Sequence, residues 1–220
     1  MKITNIKRTI ALLLTACIMA ASLTACGDSE ETDTNGNTVI SPGVIDTEAN
    51  TYTNNFLEFK GEFPEGWLIS TPEKVAELNG VTDGEMTAQL MADTMSDSDS
   101  GICYDFWAQS DDELDFVQIF YMVTDSLVYS DQESFAENMS EVVTENLEAE
   151  GITECAAAVM EVEFAGQTYY AVKYSSYANE IKYYGEQIYI INYDNTAIIN
   201  ISTIQNDHVD EVIAKFSALQ

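Results

Sequence analysis

Residues 154–204 decide the fold, and they read ECAAAVMEVEFAGQTYYAVKYSSYANEIKYYGEQIYIINYDNTAIINISTI. Four runs in this stretch are rich in β-branched and aromatic residues, which favour strands. Only Ala165-Gly166, Asn179-Glu180 and Asp194-Asn195 separate them, and links of two residues are typical of β-hairpins. The stretch therefore predicts four consecutive antiparallel strands.

The sequence before this stretch adds further strands and helices. Residues 102–110 (ICYDFWAQS) and 114–124 (LDFVQIFYMVT) have strand composition, and residues 56–70 predict two short strands around a Pro-Glu-Gly turn. Helical patterns cover residues 72–78, 83–95, 131–150 and 206–219. Together these patterns predict an α+β fold, with a central antiparallel sheet of about six to eight strands flanked by helices.

The order of these elements, together with FKGEFPEGW at residues 59–67, resembles the PsbP-like fold of photosystem extrinsic proteins and assorted bacterial lipoproteins. The resemblance spans residues 54 to 220 and implies an α/β/α sandwich. Members of that family include non-catalytic binding and assembly proteins, so the resemblance implies no reaction.

The first residues have the layout of an export signal. Lys2, Lys7 and Arg8 precede an uncharged, mostly aliphatic run from Thr9 to Ala21. That run is shorter than the roughly 20 residues that a membrane-spanning helix needs, which favours a cleaved signal.

Residues 23–26 (LTAC), followed by Gly27, resemble the lipobox of bacterial lipoproteins. The resemblance implies a diacylglyceryl group on Cys26 and cleavage after Ala25. Two acyl chains hold a protein at a membrane durably, whereas one chain holds it only marginally. The expected location is therefore the extracytoplasmic face of the cell membrane, with the lipid on Cys26 as the anchor.

Three segments follow from this interpretation. Residues 1–25 are a lipoprotein signal peptide, residues 26–53 are the lipidated cysteine and a disordered acidic tether, and residues 54–220 form a single α+β domain. The tether is predicted from its abundance of Gly, Asn, Thr, Ser and acidic residues and its few large apolar groups.

The charge of the chain restricts its partners. The sequence has 38 acidic and 8 basic residues and a net charge of −30, and loss of the signal removes three of the basic residues. Such a charge opposes nucleic acid, whose binding depends on Lys and Arg contacts with phosphate. It favours a neutral or basic peptide, a glycan or an envelope protein as the partner of a monomer, although it also simply keeps a surface soluble.

Few residues are candidates for chemistry. Cys103 and Cys155 are either a disulfide or two separately buried thiols, and both alternatives stay open. His208 is the only histidine and is expected at the surface, beside an Asn206 or Asp207 helix cap. No catalytic motif, cofactor or metal site is predicted.

The sequence therefore predicts a lipid-anchored, non-catalytic module for ligand binding or envelope assembly. The alternative is an exported hydrolase that uses carboxylates with calcium, and it is motivated by the acidic composition alone.

Overall fold

The computed structural model describes residues 40–82, 84–97, 101–124, 131–149, 151–178, 180–192 and 195–219. These residues form eleven strands and four helices. The strands are β1 Val44–Asp46, β2 Thr51–Asn54, β3 Phe59–Glu62, β4 Leu68–Ile69, β5 Ile102–Gln109, β6 Asp115–Val123, β7 Thr153–Phe164, β8 Gln167–Ala178, β9 Ile181–Asn192, β10 Asn195–Ile204 and β11 Phe216–Ala218. The helices are α1 Pro72–Leu78, α2 Ala88–Asp97, α3 Gln132–Ala149 and α4 Val209–Ile213.

The large sheet has seven strands in the order β4-β5-β6-β10-β9-β8-β7, and all neighbours are antiparallel. The predicted α+β class and its sheet of six to eight strands are confirmed. The four strands β7 to β10 follow one another through short links, as their sequence predicts, but β10 then pairs with β6.

A small second sheet has the order β1-β2-β3-β11. It combines three strands from the start of the described chain with one strand that follows α4. Strand β1 and all of β2 except Asn54 lie inside the stretch 26–53, for which the sequence predicts a disordered tether. The predicted start of the folded part at residue 54 is therefore too late.

The two faces of the large sheet have different covers. The helix face packs against α3, where Phe120, Tyr189 and Ile198 meet Phe135 and Met139. We call the opposite face the small-sheet face. There the small sheet, together with α1, α2 and α4, packs on the apolar residues of the large sheet; this core includes Tyr52, Phe59, Phe63, Phe216, Val117, Ile119 and Ile199. The large sheet is thus flanked by helices on both sides, as predicted, and the small sheet is an additional part of the second layer.

The sequence predicts two helices well and one poorly. Helix α1 occupies the predicted residues 72–78, and Thr71 caps it by accepting a hydrogen bond from the Lys74 backbone N–H. Helix α3 lies within the predicted residues 131–150, and the Asp131 carboxylate accepts from the Ser134 N–H. The predicted helix 206–219, however, ends at Ile213, and Phe216 enters β11 instead. None of the described helices is long and apolar enough to cross a membrane.

Candidate functional site

Two buried carboxylates lie on the large sheet, and the first is Asp105 on β5. The pairing of β5 with β6 shifts between Tyr104 and Phe106, so Asp105 is the extra residue of a β-bulge. This bulge brings the Asp105 side chain, which is 1% exposed, into contact with Tyr52 and Asn54 of the small sheet.

Three groups donate hydrogen bonds to the Asp105 carboxylate. The Gly43 N–H donates to Oδ1 at 2.8 Å, the Tyr52 hydroxyl donates to Oδ2, and Asn54 Nδ2 lies 3.1 Å from Oδ2. The same Asn54 amide lies 2.9 Å from the Tyr121 hydroxyl on β6. We call these residues the Asp105 network. It joins the small sheet to the large sheet through polar groups inside an apolar core.

Burial raises the pKa of Asp105 to about 6, against the opposing effect of the hydrogen bonds from Tyr52, Gly43 and Asn54. Burial and the neighbouring Asp105 also raise the tyrosine pKa values of Tyr52 and Tyr121. A buried carboxylate whose acceptors are occupied specifies one arrangement of the groups around it. The Asp105 network is therefore a structural connection between the two sheets.

The second buried carboxylate is Glu186, at the centre of β9. It lies opposite Lys173 on β8 and Ile201 on β10, so all three share the small-sheet face. Glu186 is 1% exposed, and its Oε1 atom has no hydrogen-bond partner among the described residues. A buried polar atom without a partner costs free energy, so it requires a local explanation.

Charged groups from two parts of the chain surround Glu186. Lys173 Nζ lies 3.6 Å from Asp207 Oδ2 and 4.0 Å from Asp210 Oδ1, at the start of α4. We call Glu186, Lys173, Asp207 and Asp210 the Glu186 cluster. It contains three carboxyl groups and one ammonium group, so its charge is negative whenever Glu186 is ionised.

Burial is the largest cause that raises the pKa of Glu186, to about 7. Asp210 and Asp207 add to the increase because they repel a further negative charge, while Lys173 opposes it. A carboxyl group with this pKa exchanges its proton near neutral pH. The cluster thus combines a titrating buried acid with two half-exposed or exposed aspartates.

Part of the small-sheet face next to this cluster is uncovered. Ala156, Ala158 and Met160 on β7 are exposed, and Tyr177 on β8 is 36% exposed. We call these four residues the open patch. Phe164, on the same strand and face, is fully buried in the core, so the cover ends part-way along β7.

Aromatic and basic groups continue the open patch onto β9. Lys182 Nζ lies 4.6 Å from the ring centre of Tyr184 and 5.7 Å from that of Tyr177. Flat apolar rings with polar tips suit contacts with sugars or peptides. The arrangement offers small side chains beside two tyrosines, with the carboxylates of the Glu186 cluster nearby.

The sequence left open whether Cys103 and Cys155 form a disulfide, and the structure places them far apart. Cys103 is buried on β5 and Cys155 is half-buried on β7, and both are free. Four strands lie between β5 and β7, and neighbouring strands are about 4.8 Å apart. A disulfide requires Cα atoms within about 7 Å of each other, so these thiols do not pair. Burial raises the pKa of Cys103 to about 12, as expected for an inert thiol.

The remaining predicted residues lie at the edge of the site or outside the described chain. His208 is half-exposed at the N-cap position directly before α4, makes no side-chain capping bond, and its Nδ1 lies 3.6 Å from Asp115 Oδ1. Asp207 instead accepts from the Val209 N–H at 3.3 Å. Cys26 lies outside the described residues. Within those residues, no group of three or more His, Cys, Asp or Glu side chains is arranged to hold a metal ion.

Sequence reasoning missed both buried carboxylates. The usable signal was an acidic residue in the middle of an apolar strand: Asp105 within ICYDFWAQ and Glu186 within IKYYGEQIYIIN. The alternation of side chains along a strand assigns such a residue to one face of the sheet, but it does not show whether other elements cover that face.

Comparisons with known proteins give little further direction. No family model matches the chain, and no curated protein matches it. A crystal structure of a protein from Bacteroides thetaiotaomicron is similar at 9% identity with a TM-score of 0.41. The aligned region covers 79% of this chain and 50% of the Bacteroides chain. A Pseudomonas aeruginosa protein of unknown function, described as a putative regulator, is similar at 13% identity with a TM-score of 0.27, over 40% of this chain and 58% of its own. This chain therefore spans about half the length of each of these two proteins.

Proposed function

We propose that the protein is a bacterial lipoprotein, anchored through Cys26 on the extracytoplasmic face of the membrane, and that its folded domain is a non-catalytic binding module. The anchor is supported by the basic start, the apolar run and the Leu23-Thr24-Ala25-Cys26 motif. The short apolar run is consistent with a lipid anchor that replaces a membrane-spanning segment.

The proposed binding surface is the open patch beside the Glu186 cluster. Exposed apolar and aromatic side chains next to several carboxylates favour a neutral or cationic partner, and the net charge of −30 favours the same class. The PsbP-like resemblance points in the same direction, since that family includes non-catalytic binding and assembly proteins.

A carboxylate-dependent hydrolase is the second candidate. The pKa of Glu186, raised to about 7 beside two aspartates, is the observation that favours it, because a general acid needs a proton near neutral pH. However, a catalytic acid must come within hydrogen-bond distance of its substrate, and Glu186 is 1% exposed. We therefore prefer the binding role.

The anchor is tested by metabolic labelling with a palmitate analogue in a bacterial host. The wild type and Cys17→Ala should incorporate label and sediment with membranes, whereas Cys26→Ala should do neither. Cys17 is the matched control, because it is a second cysteine in the same amino-terminal segment. Equal labelling of Cys26→Ala and wild type would contradict the proposal.

A further inference from the structure

The four edges of the two sheets differ greatly in length. Three of them are short: β4 has two residues, and β1 and β11 have three each. The fourth edge is β7, with twelve residues. An edge strand presents unpaired backbone N–H and C=O groups, and proteins usually keep such edges short or guarded. β7 is the one long edge among the described strands.

Most of β7 is a regular strand, whose free edge could pair with another strand. The pairing with β8 is irregular between Thr153 and Ala156, where Glu154 has a φ of 54°. From Ala156 to Phe164 the pairing runs through nine consecutive residues without a break. The strand contains no proline and no basic residue. Within the described part of the chain, the other side of β7 has no neighbouring strand.

The side chains of β7 leave room for another strand. Ala156, Ala158 and Met160 are exposed on the small-sheet face, and Ala157 and Val159 are half-buried on the helix face. The side chains of a strand project above and below its sheet, so they leave the in-plane approach of another backbone open. A segment that pairs with this edge would also cover part of the open patch.

The charges beside β7 define what kind of segment fits. Glu161 and Glu163 are exposed and share the helix face of β7. Glu133 of α3 belongs to the same acidic area, because its carboxylate lies 3.3 Å from the hydroxyl of Tyr170, the residue opposite Glu161. Residues directly across two paired strands contact each other, and opposite charges there stabilise the pair. A second copy of this chain would instead bring further negative charge to an acidic edge.

We propose that β7 is a docking edge, which accepts an extended basic segment of a partner polypeptide as an eighth strand of the large sheet. Two lysines or arginines at alternate positions of that segment lie opposite Glu161 and Glu163, and backbone hydrogen bonds to β7 supply the rest of the recognition. This inference rests on the proposed binding role and names its partner class.

The test uses full-length protein in a neutral detergent and a capped nine-residue peptide. The peptide alternates valine and threonine and carries two lysines two positions apart. At a peptide concentration of about ten times its Kd, hydrogen exchange of the outward-pointing amides of Ala156–Phe164 should slow about tenfold. The same peptide N-methylated at alternate residues keeps its charge but loses its docking hydrogen bonds, and it should give no protection.

Charge reversal supplies a second measurement. Glu161→Lys with Glu163→Lys should weaken binding of the lysine peptide about tenfold and favour a peptide with glutamates in the same places. Glu65→Lys reverses a single charge in the exposed turn before β4, the opposite edge of the large sheet, and should leave binding nearly unchanged.

Three results would overturn the docking edge. They are equal protection by the N-methylated peptide, protection elsewhere than β7, and protection of β7 by protein concentration alone, which would indicate a second copy as the occupant. Because exchange is measured on solubilised protein, this result is independent of the labelling at Cys26. Wild-type protein that takes up no label at Cys26 but shows β7 protection would reject the anchor alone, and labelled wild-type protein without β7 protection would reject the docking edge alone.

Discussion

Asp105 and Glu186 are equally inaccessible to solvent, yet their surroundings differ in kind. Asp105 sits among a backbone N–H, a hydroxyl and an amide, which donate to both of its oxygens. Glu186 sits among charges, and one of its oxygens has no partner among the described residues. Burial raises both pKa values, to about 6 and about 7. Burial alone therefore does not distinguish the two carboxyl groups; they differ in whether their acceptor oxygens have hydrogen-bond donors.

The substitution Asp105→Asn tests the structural half of this comparison and should have the largest effect. An amide in place of the carboxylate turns an NH₂ group toward at least one of the donors Gly43, Tyr52 and Asn54. We expect the free energy of unfolding to fall by about 2 to 3 kcal/mol, the cost of buried groups left without partners. Urea denaturation at pH 7 measures it. A loss below about 0.5 kcal/mol would mean that the two sheets do not depend on the Asp105 network, since ordinary surface substitutions cost no more.

The substitution Glu186→Gln is the matched change at the other carboxylate. It should raise the free energy of unfolding at pH 8, whereas Asp105→Asn should lower it at pH 7. The folded pKa of about 7 exceeds the ordinary value of 4.5, so the folded state holds the proton more tightly than the unfolded state. This tighter binding of the proton adds to the free energy of unfolding. The contribution is fully present below about pH 4.5 and is lost as the pH rises through 7. At pH 8 the variant, which carries no charge there, should be about 1 kcal/mol more stable than the wild type.

Chemical denaturation of wild type and Glu186→Gln between pH 4 and pH 8 checks this expectation. The difference between the two proteins should grow with pH across the window from about 4.5 to about 7. A variant that is less stable than wild type at pH 8 would mean that the ionised carboxylate is well paired.

The substitution Lys173→Met should have the smallest effect on stability. Lys173 is partly exposed, and ion pairs of this kind contribute about 0 to 1 kcal/mol. Because Lys173 lowers the pKa of Glu186, its removal should raise that pKa above about 7. Carboxyl-carbon NMR titration measures the change. Lys60→Met removes an exposed pair with Glu62 in the small sheet and should leave the Glu186 titration where it was.

Local sequence patterns predicted the parts of this fold that depend on neighbours in the chain. Strands β7 to β10 follow from composition and hairpin links, and α1 follows from Thr71 and Pro72 at its start. Phe216 illustrates the limit of such patterns. Its spacing from Val209 and Val212 suits a helix, but its contacts with Phe59, Phe63 and Phe164 place it in β11. Those partners are distant in sequence, so no local pattern reveals them.

The candidate site was less predictable than the fold for the same reason. Asp105 is buried because a bulge and the small sheet enclose it, and Glu186 is affected by Asp207 and Asp210 from the start of α4. Neither arrangement follows from alternation along a strand. Covalent attachment at Cys26, by contrast, was inferred from adjacent residues and stays a prediction.

The small sheet has a consequence for the time course of folding. Strand β3 is made early in synthesis, whereas its partner β11 is made only after the whole large sheet and α4. Until Phe216 is in place, the rings of Phe59 and Phe63 lack one of their packing partners. Pairing between such distant segments is slow. The pairing of β11 with β3 should therefore be among the last steps of folding, after the large sheet has formed.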